Sequence, residues 1–474
     1  MTLRKPPRLS GALQQTLLYG ISIALMKGVS LLMLPFVAHH LSAESFGRLE
    51  VISSFTVIGS ILVGMGLEDA LFRFVGASKN DRQRQRLAAE VFGLTILIGG
   101  VALLTGYLAA GQLAASIPGQ PSTYEIRLVI GMLALEGIIA IPLGWLRMRN
   151  RAVSFFLVTT GRALTHALLV LILLKAGHGV AGVLEAGLIA AVAQALVLGY
   201  LHIRDAGLAI AHDTSKQSLI YSLPIVASGL VAFALNGLDR WILADHTSLT
   251  DVAQFGMASK FALAVVLLLQ PFGMWWSPRR FEVLHEPGGD RRAAGFIALG
   301  LVITLFVTVL VGLASPLLIN ELLPSSYAMA GQYAVGLVIV MALREMAELI
   351  NLGCFVGKTT RSQLVINIIG ALVGVTGMFL WTPVHGVWGV ISALIAAQGV
   401  RLALFFVISQ YFLPLPYPTR SLALLTILSS AWLMLGTQVE STPHQLLIIV
   451  SAAGCLLSMA AWLKLIPLTS RTPL

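Results

Sequence analysis

Apolar runs long enough to cross a bilayer follow one another almost from end to end of this chain, separated by polar stretches of a few to about 16 residues. A hydrocarbon layer about 30 Å thick takes roughly 20 apolar residues in a helix. Fourteen segments meet that requirement: 14–39, 47–75, 87–110, 124–146, 152–175, 180–203, 218–243, 252–277, 293–319, 329–354, 363–382, 387–408, 421–438 and 445–466. The segment at 421–438 is the shortest. The pattern predicts an all-α polytopic membrane protein with nearly all of its mass in the bilayer.

The polar positions between the runs give the orientation. Arg4, Lys5 and Arg8 precede the first run, and every second loop is basic. These loops hold Lys79, Arg82, Arg84 and Arg86; Arg147, Arg149 and Arg151; Arg204 and Lys216; Arg279, Arg280, Arg291 and Arg292; Lys358 and Arg361; Arg420; and Arg471. The intervening loops GQLAASIPGQPST, GHG, ADHTSLTD, NELLPSSYA, TPVHG and QVESTPH contain neither Lys nor Arg. Basic loops stay in the cytoplasm. Both termini are therefore expected there.

Composition agrees with this reading. Hydrophobic residues make up 57% of the 474 and charged residues 11%, which leaves no room for a soluble domain. A net charge of +10 would suggest nucleic acid in a soluble chain, but here it follows from the basic loops, and no nucleic-acid partner is expected. The opening MTLRKPPRLSGALQQ is basic, yet the apolar run after it has spanning length and no small-residue cleavage pattern, so no cleavable signal peptide is expected. Cys354 and Cys455 lie inside apolar runs and supply no metal site. GxxxxGK(S/T), HExxH, CxxC and GxSxG are all absent. Neither an enzyme nor a cofactor is expected.

The chain also repeats itself. HHLSAESFGRLEVISSF at 39–55 aligns without a gap on DHTSLTDVAQFGMASKF at 245–261. His40 meets His246, Ser42 meets Ser248, Ser53 meets Ser259, Phe55 meets Phe261 and, at the same offset, Arg73 meets Arg279. The offset equals six spans, an even number, so both copies sit the same way up. Two six-helix lobes in a parallel pseudo-twofold repeat are expected, at 1–210 and 211–415, with two appended helices at 416–474. Repeats of this kind place a substrate site at the lobe interface.

Charge inside the spans marks the candidate chemistry, because a charge at the bilayer centre costs roughly 2.5–3.5 kcal/mol on insertion scales. Lys27 lies halfway along the first span and Lys260 about two turns inside the eighth, neither with an acid at helical spacing. Each either lines a wet cavity or joins an interhelical ion pair. Glu68, Asp69 and Arg73 lie on the second span, where Asp69 and Arg73 are spaced for a pair. Asn236, Asp239 and Arg240 share a face of the seventh, and Arg240 is placed to snorkel outward. Arg344 and Glu348 on the tenth are spaced to pair, which leaves Glu345 as the candidate coupling acid. Gating and structural roles stay open for Glu68, Asp69, Asp239, Arg344, Glu345 and Glu348. For Arg162 with His166, Gln398 with Arg401, Glu136 and Glu185, helix-to-helix pairing is the preferred reading. The surplus of cations suits an anionic, phosphate-bearing substrate.

The stretch LPFVAHHLSAESFGRLEVISSFTVIGSILVGMGLEDALFRFVG resembles the opening of the polysaccharide-export flippases. A Pro-containing first helix leads into a link carrying Leu41, Ser42, Glu44, Phe46 and Gly47, and the second helix ends on Gly66, Leu67, Ala70 and Arg73. LDRWILADHTSLTDVAQFGMASKFA is similar to a second segment of that family through Asp239, Arg240, Ala258 and Lys260, with Phe255 replacing the usual Tyr. The family lies in the MOP superfamily (multidrug/oligosaccharidyl-lipid/polysaccharide exporters), beside lipid II flippases and MATE drug exporters. The resemblance implies two lobes, alternating access, a place in the inner (cytoplasmic) membrane of a bacterium and a cationic cavity for the head group of an undecaprenyl-pyrophosphate-linked oligosaccharide. Lys27 and Lys260 would then meet the pyrophosphate, with Arg73 and Arg240 as second candidates. Partners implied are the lipid-linked oligosaccharide and membrane lipids, with polysaccharide polymerase and chain-length machinery as further candidates; a monomer is the default. A MATE-like cation-coupled antiporter and a MurJ-type lipid II flippase are the alternatives.

Overall fold

The computed structural model describes residues 11–78, 80–356, 361–439 and 441–465, with side chains from 18 onward except 21 and 23. Of the basic-loop residues, Arg4, Lys5, Arg8, Lys79, Lys358 and Arg471 lie outside the described residues. The chain forms two compact units, Met1–Phe233 and Ala234–Leu474. The division falls within one helix.

The first unit runs α1 (Gly11–His40), α2 (Ala43–Gly64), α3 (Leu67–Ala77), α4 (Asp81–Ser116), α5 (Thr123–Ala134), α6 (Glu136–Met148), α7 (Ala152–Lys175), α8 (Gly179–Asp205) and most of α9 (His212–Asn236). The second runs α10 (Leu238–His246), α11 (Leu249–His285), α12 (Gly289–Leu322), α13 (Ala328–Ile350), α14 (Arg361–His385), α15 (Val387–Phe412), α16 (Thr419–Gly436) and α17 (Thr442–Trp462). Among the described residues, thirteen segments are long and apolar enough to cross a membrane. The sequence predicts fourteen; α13 also runs 23 residues, with Arg344, Glu345 and Glu348 inside it. Outward apolar side chains such as Leu108 at 77% and Leu196 at 70% exposure suit a lipid solvent rather than water.

Three spans expected to be continuous are broken. The second stops at Gly64 and restarts at Leu67, because Met65 and Gly66 both take left-handed backbone, with φ of 48° and 61°. The fourth breaks at Leu135 and the seventh at Gly237. Elsewhere the helices outrun the bilayer. α4 spans 36 residues, about 54 Å at 1.5 Å per residue, so its first turns carry Arg82, Arg84 and Arg86 beyond the apolar run.

The aligned sequence segments adopt the same local structure. α1 ends at His40 and Ser42 caps α2 by accepting from the Ser45 N–H at 3.1 Å. α10 ends at His246 and Ser248 caps α11 by accepting from the Asp251 N–H at 3.1 Å, completing a capping box. About three turns into each helix, Ser53 donates to the Leu49 carbonyl and Ser259 to that of Phe255. In the first unit, Leu67, Leu71, Phe92, Ile141 and Trp145 form a core joining α3, α4 and α6. In the second, the last two helices pack on α12 through Leu313, Leu433, Ala452 and Leu456.

Candidate functional site

In the first unit two broken spans meet. Glu68 and Asp69 occupy the first turn of α3 and Glu136 opens α6. Both are positions where unpaired backbone N–H groups favour negative charge. A methyl placed on Gly64 would lie 3.6 Å from Glu136 Cγ, so the breaks are neighbours. With α9 they border a cavity of about 230 Å³, lined by Ser60, Gly66, Glu68, Asp69, Glu136 and Ile225 among others. Gly66 is required twice over. Its φ is left-handed, and a Cβ there would come within 2.8 Å of Ile225 Cγ2. Glu68 accepts from Arg147 of α6, and Arg147 also lies over the rings of Phe72 and Phe155, at 5.3 and 5.8 Å. The lining is acidic; neither Lys27 nor Arg73 contributes to it.

Lys27 is exposed on α1. Arg73 does not pair with Asp69 in its own helix: it lies over the Tyr221 ring of α9, 4.8 Å from the centroid. Glu185 is held by Tyr124 and His178, at 2.8 and 2.9 Å, and Arg162 donates to Gln194 at 2.9 Å. These are the helix-to-helix contacts expected of them.

In the second unit Asp239 sits in the first turn of α10 and is buried. Both its oxygens accept from Arg240 Nη1, at 2.9 and 3.0 Å. Arg240 is drawn inward by this contact rather than extended to a surface, and its guanidinium lies 5.5 Å from the centre of the Phe255 ring. Lys260 is half-buried on α11, as are Arg344 and Glu345 on α13.

Glu348 departs from the expected i,i+4 pair with Arg344. It turns to Arg401 of α15, whose Nη2 lies 3.4 Å away. Arg401 is buried; its Nη1 donates to Gln398 at 2.5 Å and its Nε to Asn367 of α14 at 3.1 Å. Asn351, just past α13, donates to the other Glu348 oxygen at 2.9 Å. One guanidinium thus ties α13, α14 and α15 together. Gly370 makes room for it, since a Cβ there would collide with the Arg401 stem.

Sequence reasoning missed Arg147, which the run ending at 146 consigned to a loop; α6 extends past it. The breaks at Met65–Gly66 and Leu135 were also missed. The dipeptide Met65–Gly66 offered a signal through its glycine, whereas Leu135 offered none.

The model of the polysaccharide biosynthesis protein family matches residues 12–283, more than half of the chain. The chain belongs to the polysaccharide biosynthesis protein family. It is a multi-pass membrane protein, as the succession of apolar runs predicts. The family match takes in both charged regions around Glu68 and Asp239 and stops short of the Arg401 cluster. No curated protein matches. Among solved structures, the fold is similar to a lipid II flippase, MurJ, in an inward closed conformation. The TM-score is 0.71 at 13% identity, over 95% of this chain and 100% of that one. It is also similar to a MATE transporter in a straight conformation, with TM-score 0.57 at 15% identity over 85% and 96%, and to an inward-facing multidrug resistance MATE transporter, 0.57 at 14% over 83% and 94%. At these identities the likeness is one of fold.

Proposed function

We propose that this chain turns an undecaprenyl-pyrophosphate-linked oligosaccharide across the bacterial inner membrane by alternating access, for surface polysaccharide synthesis. The observation that carries the reading is membership of the polysaccharide biosynthesis family in a chain built almost wholly of membrane helices. In support, four cations lie along the membrane-spanning helices, Lys27, Arg73, Arg240 and Lys260, where an anionic head group in low dielectric meets its strongest partners. Lys27 and Lys260 are assigned to the pyrophosphate, with Arg73 and Arg240 assisting. Glu345 is assigned to ion coupling. The termini are assigned to the cytoplasm and the functional form to a monomer.

Mass spectrometry of lipid extracts from cells lacking the protein tests this. Accumulation of a prenyl-pyrophosphate-linked oligosaccharide, with loss of a surface glycan, is expected. A second reading, cation-coupled antiport of organic cations, is favoured by the carboxylates of Glu68, Asp69 and Glu136 around the cavity. It predicts instead an unchanged lipid profile and sensitivity to cationic dyes.

A further inference from the structure

A second cleft in the first unit, of about 440 Å³, opens where α3 ends and α4 and α9 begin. We propose that it binds the phosphate of a lipid head group, whichever molecule the protein carries. Its walls are Phe74, Ala77 and Ser78 from α3, Gln83 and Leu87 from α4, and Thr214 and Gln217 from α9.

Three features give the cleft this chemistry. The first is donor supply. Ser78 and Thr214 spend their hydroxyl protons inside the protein, on the Phe74 carbonyl at 3.0 Å and Glu90 at 2.6 Å. The exposed amides of Gln83 and Gln217 have no hydrogen-bond partner among the described residues.

The second is charge. Arg84 donates through Nε to the Ser78 carbonyl at 2.9 Å, which anchors its guanidinium at the cleft wall with both terminal nitrogens left to donate. Arg73 stacks on Tyr221, whose ring also meets Phe74 of the wall. Arg82 and Lys216 neighbour the two wall glutamines in sequence, and both are exposed. The nearby acids are mostly engaged: Asp81 pairs with Arg149 and Glu90 with Arg86. Arg73, Arg82, Arg84 and Lys216 stand near Asp69 and Asp213 in the chain, an excess of two positive charges. Guanidinium and amide donors around a concave site are the partners that a phosphate takes.

The third feature selects a lipid over a soluble phosphate. Ile220 and Leu223 follow Gln217 along α9 at intervals of three, each 64% exposed. Acyl or prenyl chains lying along that apolar flank would place their head group at the cleft.

The test is native mass spectrometry of the full chain in mild detergent. It is titrated separately with dioleoyl phosphatidylglycerol, dioleoyl phosphatidylcholine and undecaprenyl diphosphate. Each basic residue near an anionic head group is worth about fivefold in affinity. Arg73→Gln with Arg84→Gln is therefore expected to weaken anionic-lipid binding about 20-fold. The charge-matched control Arg291→Gln with Arg420→Gln is expected to change it less than about twofold. Tighter binding of the diphosphate assigns the cleft to the prenyl lipid, and equal or tighter binding of phosphatidylglycerol assigns it to bilayer phospholipid. Phosphatidylcholine binding as tightly as both, or the control pair losing as much as the test pair, overturns the proposal. Should the arginine pair not fold, Gln83→Leu with Gln217→Leu keeps every charge and is expected to weaken binding several-fold; unchanged binding there also overturns it.

Discussion

In the first unit Glu68, Asp69 and Glu136 border an open cavity at two helix breaks, and only Glu68 has an ion-pair partner among the described residues. In the second unit Arg401 is 8% exposed, and its guanidinium is taken up by Asn367, Gln398 and Glu348 from three helices. Both regions put charge into membrane-spanning helices, and the difference lies in what surrounds it. A buried guanidinium with an acceptor at each of its three nitrogens locks helices together, since moving any one strands polar groups in low dielectric. Carboxylates at interrupted helix starts, beside a cavity, are held by helix ends and by one half-exposed pair. Such a region is free to change shape, as transporters with broken helices require.

Five substitutions break or sharpen this contrast. The largest effect on stability belongs to Arg401→Met. It leaves the Gln398 and Asn367 acceptors without their donor, while the exposed Glu348 turns to water, and is expected to cost about 2–6 kcal/mol, at 1–3 for each of the two groups left unsatisfied. Thermal unfolding in detergent measures it, and an unchanged midpoint would remove the lock from the account. Gly66→Ala comes next, at about 1–2 kcal/mol for a left-handed residue acquiring a Cβ, with Ile225 forced to shift. A melt equal to the parent's would mean that the break does not need its glycine.

Glu68→Gln weakens a pair whose partners are 33% and 41% exposed. The expected loss of stability is below about 1 kcal/mol, while transport falls several-fold. A variant that melts far lower would make the first unit as locked as the second. Last, Lys27→Ala, at an exposed position, is expected to leave folding within about 0.5 kcal/mol, and Lys27→Ala and Lys260→Ala are each expected to cut transport, with Lys→Arg keeping more activity than Lys→Ala. Full activity in both alanine variants would sink the pyrophosphate assignment.

The parts of this molecule that were legible in the sequence are those set by local chemistry. Hydropathy alone located the spans, because every residue facing lipid must be apolar and every backbone group must bond within its own helix. The caps at Ser42 and Ser248 were visible as paired positions in the repeat because capping acts over three residues. The interruptions were not legible. The break falls on Leu135, which is neither proline nor glycine, and Gly137 lies inside α6; the small side of α4 at Gly99 and the packing of Gly137 on Thr95 accommodate the break, and these are tertiary facts. Spacing also misassigned Glu348 to Arg344. The i,i+4 rule ranks neighbours on one helix, whereas a guanidinium buried on another helix offers a drier partner. Likewise Arg73 chose the face of Tyr221, which lies about 150 residues away in the chain.

Head-group inversion in reconstituted vesicles tests the central claim most directly. The purified chain is placed in liposomes carrying undecaprenyl-pyrophosphate-linked oligosaccharide, and exposure of the glycan to an added lectin is followed over time. The account predicts inversion that depends on the protein and is slowed by the Lys27→Ala, Lys260→Ala double variant. Inversion no faster than in protein-free liposomes would contradict it.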